Sequence, residues 1–405
     1  MRVGPFRVAD RRSEWYGRSV YLIISRERIE KIEPTSEEAI LWVSSGWVDL
    51  LAWTNQPFLP ATETLEELAI RARRGGFTTV GISGWQGWYE PKSLAEVKEL
   101  TPELPASFLL FSAWSSPKGD IAALESLYIE GGFGWVLPPE WPVPWQTLRR
   151  ALPYLRHLGG PVFLLPFWEA IGGEKGVAET SVLSLSGWEG FPPYVETVGI
   201  HAVAALWQAY GGKVIIGPIT TRAGLKVLGQ YGIPAFTGIS YLVADASYLL
   251  DYDARWKLHP PLRASEDKAA LVRALIQSRY MCIASYDYMA PLEEKMREWT
   301  SAAVGQSTLA VVAPLLYYAL EREYPLEKKE LPALLAEILS ERPRRLLGLP
   351  HPVLDEGHPL ELTLFELLQE SYVLPYPWEA FSSNLRVVGT IRSLDDLDNL
   401  EIKMS

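Results

Sequence analysis

Ser45-Gly46-Trp47-Val48-Asp49-Leu50-Leu51-Ala52-Trp53-Thr54-Asn55-Gln56-Pro57 is the stretch on which the fold turns. It is a short, nearly continuous apolar run bounded by Gly46 and Pro57, the pattern of a strand buried on both faces. A shorter strand over 41–43 leads directly into it. An amphipathic helix over 64–74 follows, stopped by Gly75-Gly76, and then a strand over 77–82. The same alternation recurs downstream. A short strand over 161–165 and a helix over 195–210, ended by Gly211-Gly212, lead to a strand at 213–217. A helix over 221–231 precedes Ile233-Pro234-Ala235-Phe236, and one over 267–278 precedes Met281-Cys282-Ile283-Ala284. Repeated β-then-α over about 300 residues predicts an α/β architecture, and a strand count near eight favours a (β/α)8 TIM barrel.

The flanks of that barrel have β character. Val20-Tyr21-Leu22-Ile23-Ile24 and Ile29-Glu30-Lys31-Ile32 form a predicted hairpin after a polar start. The tail carries strand-like runs over 360–365 and 386–391. Both ends therefore contribute to one small β-domain, residues 1–46 plus 352–405, around a barrel over 47–351. Residues 135–145, rich in Trp and Pro, read as a loop at the top of the barrel. No internal repeat is present.

Composition narrows the function classes. With 38 basic against 49 acidic residues the net charge is −11, which argues against a nucleic-acid partner. The short clusters Arg71-Ala72-Arg73-Arg74 and Arg342-Pro343-Arg344-Arg345 read as solvated helix faces or ends. Cys282 is the single cysteine, so neither an intrachain disulfide nor a cysteine metal cluster is available. No uncharged apolar stretch spans a bilayer and no signal-peptide core is evident, so a cytoplasmic protein is expected.

Several blocks resemble the dihydroorotases, within the cyclic amidohydrolases. Residues 45–57 are similar to that family's first barrel strand, Gly-Phe-Ile-Asp-Leu-His-Val-His-Leu-Arg-Glu-Pro. Arg73-Arg74-Gly75-Gly76-Phe77-Thr78-Thr79-Val80 resembles its Ala-Ala-Gly-Gly-Phe-Thr-Thr-Val, and Lys257-Leu258-His259-Pro260-Pro261-Leu262-Arg263 its Lys-Val-Asn-Pro-Pro-Leu-Arg. Cys282-Ile283-Ala284-Ser285-Tyr286-Asp287, Pro343-Arg344-Arg345-Leu346-Leu347-Gly348-Leu349 and residues 356–365 continue the likeness in family order. The resemblance covers most of 20–391. It implies a barrel of the amidohydrolase type that holds zinc.

The zinc ligands do not carry over. Leu51 and Trp53 stand at the first-strand histidine positions, and the bridging carboxylate position falls near Pro138. Ile215 replaces the histidine of Gly-Gly-Arg-Val-His-Ile, and the next histidine falls at Tyr241 or Leu242. Tyr286 stands where the family has its strand-eight aspartate, both ligand and general base. Leucine, isoleucine and tryptophan offer zinc no donor. Substrate positions differ too: Asn55, Trp85 and His259 replace an arginine and two asparagines. Without a Lewis acid or a base the family's hydrolysis has no machinery. The expectation is therefore no catalytic residue, no metal ligand and no cofactor, with Leu51, Trp53, Asn55, Trp85, Ile215, His259, Tyr286 and Asp287 lining a vestigial pocket.

Three functions stay open. The first is a non-catalytic dihydroorotase-like protein of pyrimidine biosynthesis, a homo-oligomer that also assembles with aspartate transcarbamoylase or an active dihydroorotase, as the resemblance implies. The second is a cyclic-amide hydrolase (dihydroorotase- or hydantoinase-like) using His259 and Asp287, and the third a barrel that binds a small molecule without turnover. Asp287 follows the lost aspartate by one residue, so strand alternation turns it to the opposite face. The other histidines, His157, His201, His351 and His358, share no ligand spacing. Cys282 reads as a buried inert thiol. Glu169 reads as a cap or surface carboxylate, and the Gly-rich Ile171-Gly172-Gly173-Glu174-Lys175-Gly176 lacks a phosphate-loop spacing.

Overall fold

The chain opens a sheet at its amino end that it completes only near its other end. In the computed structural model, which describes residues 1–58, 62–139, 141–167, 177–180, 190–323 and 330–400, four strands come first. They are β1 (Arg2–Val8), β2 (Ser19–Ile24), β3 (Ile29–Pro34) and β4 (Leu41–Ser45). The polar start expected before the β2–β3 hairpin is itself a strand. Gly4 and Pro5 interrupt its apolar pattern, and its register on β2 shifts between Val3 and Phe6.

Eight parallel strands follow: β5 (Trp47–Thr54), β6 (Phe77–Gly84), β7 (Ser107–Ser112), β8 (Gly134–Trp135), β9 (Val162–Leu164), β10 (Val214–Ile216), β11 (Ala235–Gly238) and β12 (Met281–Ala284). They pair in sequence order in one sheet. The chain just beyond β12 returns to β5: Tyr286 N–H donates to Leu51 O at 3.0 Å and Trp53 N–H to Asp287 O at 2.8 Å. A parallel bridge between Trp53 and Tyr288 completes the seam. This is the TIM barrel the alternation predicts. Within 135–145 only the ends belong to elements, Trp135 to β8 and Trp145 to the helix Trp145–Leu158, and the described residues between them form the expected loop.

Local chemistry sets the helix boundaries. Thr64 caps the helix Leu65–Arg74 in a reciprocal capping box with Glu67, worth about 1 kcal/mol, and Leu65, Leu68, Ala69 and Ala72 bury its barrel-facing stripe. Thr221 caps the helix Arg222–Tyr231, and Gly232 closes it in the left-handed region. After the barrel, β13 (Leu362–Val373) pairs with β4 and with β14 (Ser382–Ile391), giving a six-stranded sheet in the order β14-β13-β4-β1-β2-β3. Its core gathers Val3, Phe6, Val20, Leu22, Val43 and Leu364.

The two arginine clusters expected to be solvated are partly buried. Arg342 and Arg344 are 3% and 7% exposed. Arg342 pairs with Glu337 and donates to Ser278 O, while Arg344 reaches Gly46 O and Glu361. Arg71 is likewise drawn inward. Sequence clustering marked the charges, but Gly46, Ser278 and Asp287, whose oxygens receive some of them, lie far away along the chain.

Candidate functional site

Alternation along β5 and β12 decides what faces the barrel interior. On β12 and its extension Cys282, Ala284 and Tyr286 point in, whereas Ser285 and Asp287 point out. On β5 the register shifts between Asp49 and Ala52, which brings Leu50, Leu51 and Trp53 all into the inner cluster. Phe111, Phe163, Ile215 and Phe236 join them. Gly81 of β6 makes room: a Cβ there would stand 2.5 Å from the Phe111 ring.

Aromatic rings fill this interior in an unbroken chain of contacts. Phe111 meets Phe163 at 5.0 Å between centroids, and Phe163 meets Phe236 at 5.6 Å. Phe236 touches Tyr286 at 6.2 Å, which meets Trp53 edge-on at 6.3 Å. Trp53 meets Trp85 at 5.8 Å and 89°, and Trp85 stacks on Tyr288 at 3.7 Å. Four of these six contacts are the T-shaped ones that ring quadrupoles favour, Phe236–Tyr286 is tilted, and Trp85 and Tyr288 lie face to face. The filling leaves two buried polar atoms, Trp53 Nε1 and Tyr286 Oη, without a hydrogen-bond partner among the described residues. Burial holds the Tyr286 phenol far above its ordinary pKa, so it is neutral.

Trp85, His259 and Tyr286 line one cavity at the mouth, together with Tyr241, Tyr288 and Gln306. Its volume is about 20 Å³, room for little more than a water molecule. The His259 ring lies against Phe167 and Phe191, at 5.8 and 5.6 Å. Asn55 stands beside this group, accepting from Tyr288 Oη at 3.2 Å and donating to Thr62 at 3.1 Å. Leu51 and Ile215 are buried in the inner cluster. Of the two candidates at the next histidine position, Tyr241 lines the cavity and donates its hydroxyl to Pro260 O.

Asp287 is not in that cavity. Its carboxylate receives both terminal nitrogens of Arg71, at 2.9 and 2.7 Å, and the amide of Leu309 at 2.8 Å. Arg71 also grips Glu63 at 2.5 and 2.9 Å. Burial would raise the Asp287 pKa, but Arg71 and the backbone amides outweigh it and hold the carboxyl below its ordinary value. The His259–Asp287 pair that an unconventional hydrolase would need is not brought together. From sequence Arg71 reads as solvated, and Asp49 is given no role. Asp49 accepts from the backbone and the hydroxyl of Ser285, both at 2.6 Å, and burial pushes its pKa up to about 7. The aspartate in the Asp-x-His-x-His part of the first-strand pattern was the signal available for it.

The family's zinc does not fit these residues. Leu51, Trp53 and Ile215 supply no donor, and Tyr286 supplies a neutral phenol. No group of three or more His, Cys, Asp or Glu that could hold a metal ion occurs among the described residues. Glu169 and the Gly-rich segment 171–176 lie outside the described residues.

A larger space lies to one side of the mouth, about 340 Å³, lined by Arg255, Tyr288, Lys295, Gln306 and Tyr376 among others. Lys295 donates to the carbonyls of Lys257 and Ala303. Burial, with Lys257 adding repulsion, lowers its pKa to about 7.

An eight-stranded barrel with a sheet built from both termini defines the amidohydrolase type, and solved structures share it. The L-hydantoinase of Arthrobacter aurescens superposes with TM-score 0.79 at 16% identity, over 96% of this chain and 94% of that one. A Saccharomyces cerevisiae dihydroorotase gives 0.63 at 13%, over 86% and 98%. These likenesses concern the fold. Sequence narrows the class. A putative dihydroorotase of Rhodopirellula baltica is 26% identical over 343 residues, 80% of this chain and 73% of that one. The Bacillus subtilis dihydroorotase is 25% identical over 371 residues, 85% and 83% of the two chains. Dihydroorotases of Listeria monocytogenes match over 210 residues, about half of either chain, at 28%. No protein-family model matches. The chain is similar in sequence to dihydroorotases and has a fold of the amidohydrolase type.

Proposed function

We propose that this protein is a non-catalytic dihydroorotase-like barrel that acts through its surface as a structural or regulatory partner in pyrimidine biosynthesis. The observation that carries the reading is the aromatic filling of the barrel mouth. Trp53, Trp85 and Tyr286 occupy the positions from which the family resemblance would draw zinc and substrate ligands, and they leave about 20 Å³. A hydrolytic water would need a metal or a carboxylate beside it. The carboxylates nearest in sequence, Asp49 and Asp287, are committed to Ser285 and Arg71. The cytoplasm, a homo-oligomeric state and assembly with aspartate transcarbamoylase or an active dihydroorotase belong to the same proposal.

Two measurements test it. Metal analysis and dihydroorotate turnover of the purified protein should give substoichiometric zinc and no activity above background. Stoichiometric zinc with turnover of dihydroorotate or a hydantoin would overturn the reading. Sedimentation of the protein with the transcarbamoylase of the same organism should show a complex at micromolar concentrations, and its absence would remove the proposed partner.

The space of about 340 Å³ beside the mouth favours a second reading, a barrel that binds a small molecule without turning it over. Lys295, and Arg255 beyond its pairing with Asp253 and Glu379, are the cationic groups an acidic ligand would meet there. Saturable binding of a pyrimidine carboxylate, weakened in Arg255→Gln, would support this reading over a purely structural role.

A further inference from the structure

The opposite end of the barrel holds a second, larger cavity of about 440 Å³, beyond anything the mouth explains. It opens at the starts of β10, β11 and β12, where Lys213, Pro234 and Tyr280 immediately precede the strands. Ile215, Cys282 and Leu346 contribute an apolar floor, and Trp207 and Tyr280 place aromatic rings along it. Tyr280 is 67% exposed.

Charge is what distinguishes this cavity. Among the described residues four cationic ones line it, Lys213, Arg279, Arg342 and Arg345, and no acidic one does, in a chain of net charge −11. Arg342 is committed to Glu337 and to backbone carbonyls. Arg345 is only loosely engaged, with Glu341 at 3.5 Å. Lys213 and Arg279 are exposed and form no ion pair among the described residues. Like charges gathered around one concavity repel, and while Glu337 and Glu341 offset Arg342 and Arg345, no carboxylate among the described residues offsets Lys213 and Arg279. A bound anion would offset them instead.

We propose that this cavity is a binding site for a small phosphorylated compound carrying a planar ring, of the nucleotide type. Lys213, Arg279 and Arg345 take the phosphate chain through charge-assisted hydrogen bonds. The ring lies over the apolar floor against Trp207 or Tyr280, as bases stack on aromatic side chains. An inorganic anion would leave that floor unused. The volume lies within the range of small-molecule pockets, about 300–1,000 Å³. The site is distinct from the barrel mouth and does not depend on whether the mouth has any activity.

The test is calorimetric titration of the intact protein with ATP in the presence of EDTA, with inorganic pyrophosphate in parallel. Lys213→Gln/Arg279→Gln is the variant. Both side chains are exposed and unpaired, so the fold should persist and the melting temperature should stay unchanged. Lys226→Gln/Arg273→Gln, two exposed cations outside the cavity, controls for the change in net charge. Saturable ATP binding that weakens about tenfold or more in the first variant only, with pyrophosphate at least about tenfold weaker than ATP, is expected. Affinity should also fall as salt rises. No saturable binding of ATP, or equal binding by both variants, would overturn the site. Pyrophosphate binding as tightly as ATP would overturn the ring's part in it.

Discussion

Replacing Trp53 by alanine is the most direct probe of the filled mouth. Trp53 is 1% exposed and meets Trp85 and Tyr286 edge-on at 5.8 and 6.3 Å. Truncation to alanine removes roughly 140 Å³ of side chain, and at about 24 cal/mol per Å³ of unrelaxed cavity that alone is about 3 kcal/mol. Two ring–ring contacts add about 0.5–1.5 kcal/mol each. Against this stands the indole N–H, buried without a partner among the described residues, whose removal relieves about 1–3 kcal/mol. The net loss is therefore about 3 kcal/mol, the lower part of the range for large aromatic truncations. Trp53→Phe keeps a ring in place while deleting the orphaned donor, so it should fall within about 1.5 kcal/mol of the parent. Urea denaturation followed by far-UV circular dichroism measures both. A loss below about 1 kcal/mol in Trp53→Ala would refute the packing argument. So would a Trp53→Phe variant as unstable as Trp53→Ala.

Other substitutions probe the charges and the lost metal positions. Arg71→Met strands the buried carboxylates of Glu63 and Asp287 and should cost about 3–5 kcal/mol in the same denaturation assay, and a loss under about 1 kcal/mol would show that the network is dispensable. Asp49 has a folded pKa of about 7 against an ordinary 3.8, so between those values the folded chain keeps a proton that the unfolded chain has released. Its contribution is thus fully present below about pH 4 and is lost as pH rises through about 7. Asp49→Asn lacks that loss, so its stability relative to the parent should improve by about 2–3 kcal/mol between pH 5 and pH 8, and a pH-independent difference would refute the assignment. Leu51→His combined with Trp53→His should bind no stoichiometric zinc by metal analysis, because Ile215 and Tyr286 still supply no suitable ligand. Full zinc occupancy would contradict this.

The barrel was legible because β/α alternation is written in local apolar periodicity and in glycine stops such as Gly75-Gly76 and Gly211-Gly212. The apolar run of β7 was passed over, and β8 was not legible, since two residues held by neighbours on either side carry no period of their own. The inward positions of Leu51, Trp53, Ile215 and Tyr286 followed from the family pattern and from alternation. The role of Arg71 did not, because its partners Glu63 and Asp287 lie 8 and 216 residues away and only the closed barrel brings them together. The same holds for Asp49 and Ser285, separated by 236 residues. A run of arginines in sequence says nothing about how far each side chain is drawn in.

Closure and chemistry occupy opposite faces of the same two strands. β5 and the extension of β12 must be joined for the sheet to become a barrel, and the joining groups point outward: Asp49 to Ser285, and Arg71 from the overlying helix to Asp287. Backbone bonds from Tyr286 and Trp53 complete that seam. The residues between them, Leu51, Trp53 and Tyr286, point inward, where the resemblance would place metal ligands. Because alternation beyond β12 and the register shift on β5 separate the two sets, every inward ligand position can change to an apolar or aromatic residue without touching the seam. The ring contacts among Trp53, Tyr286 and Trp85 then cross-connect the strand ends that ligand bonds to a metal would otherwise tie. The physical consequence is that a barrel of this type can give up its metal chemistry without giving up its closure, leaving its surface to be put to other use.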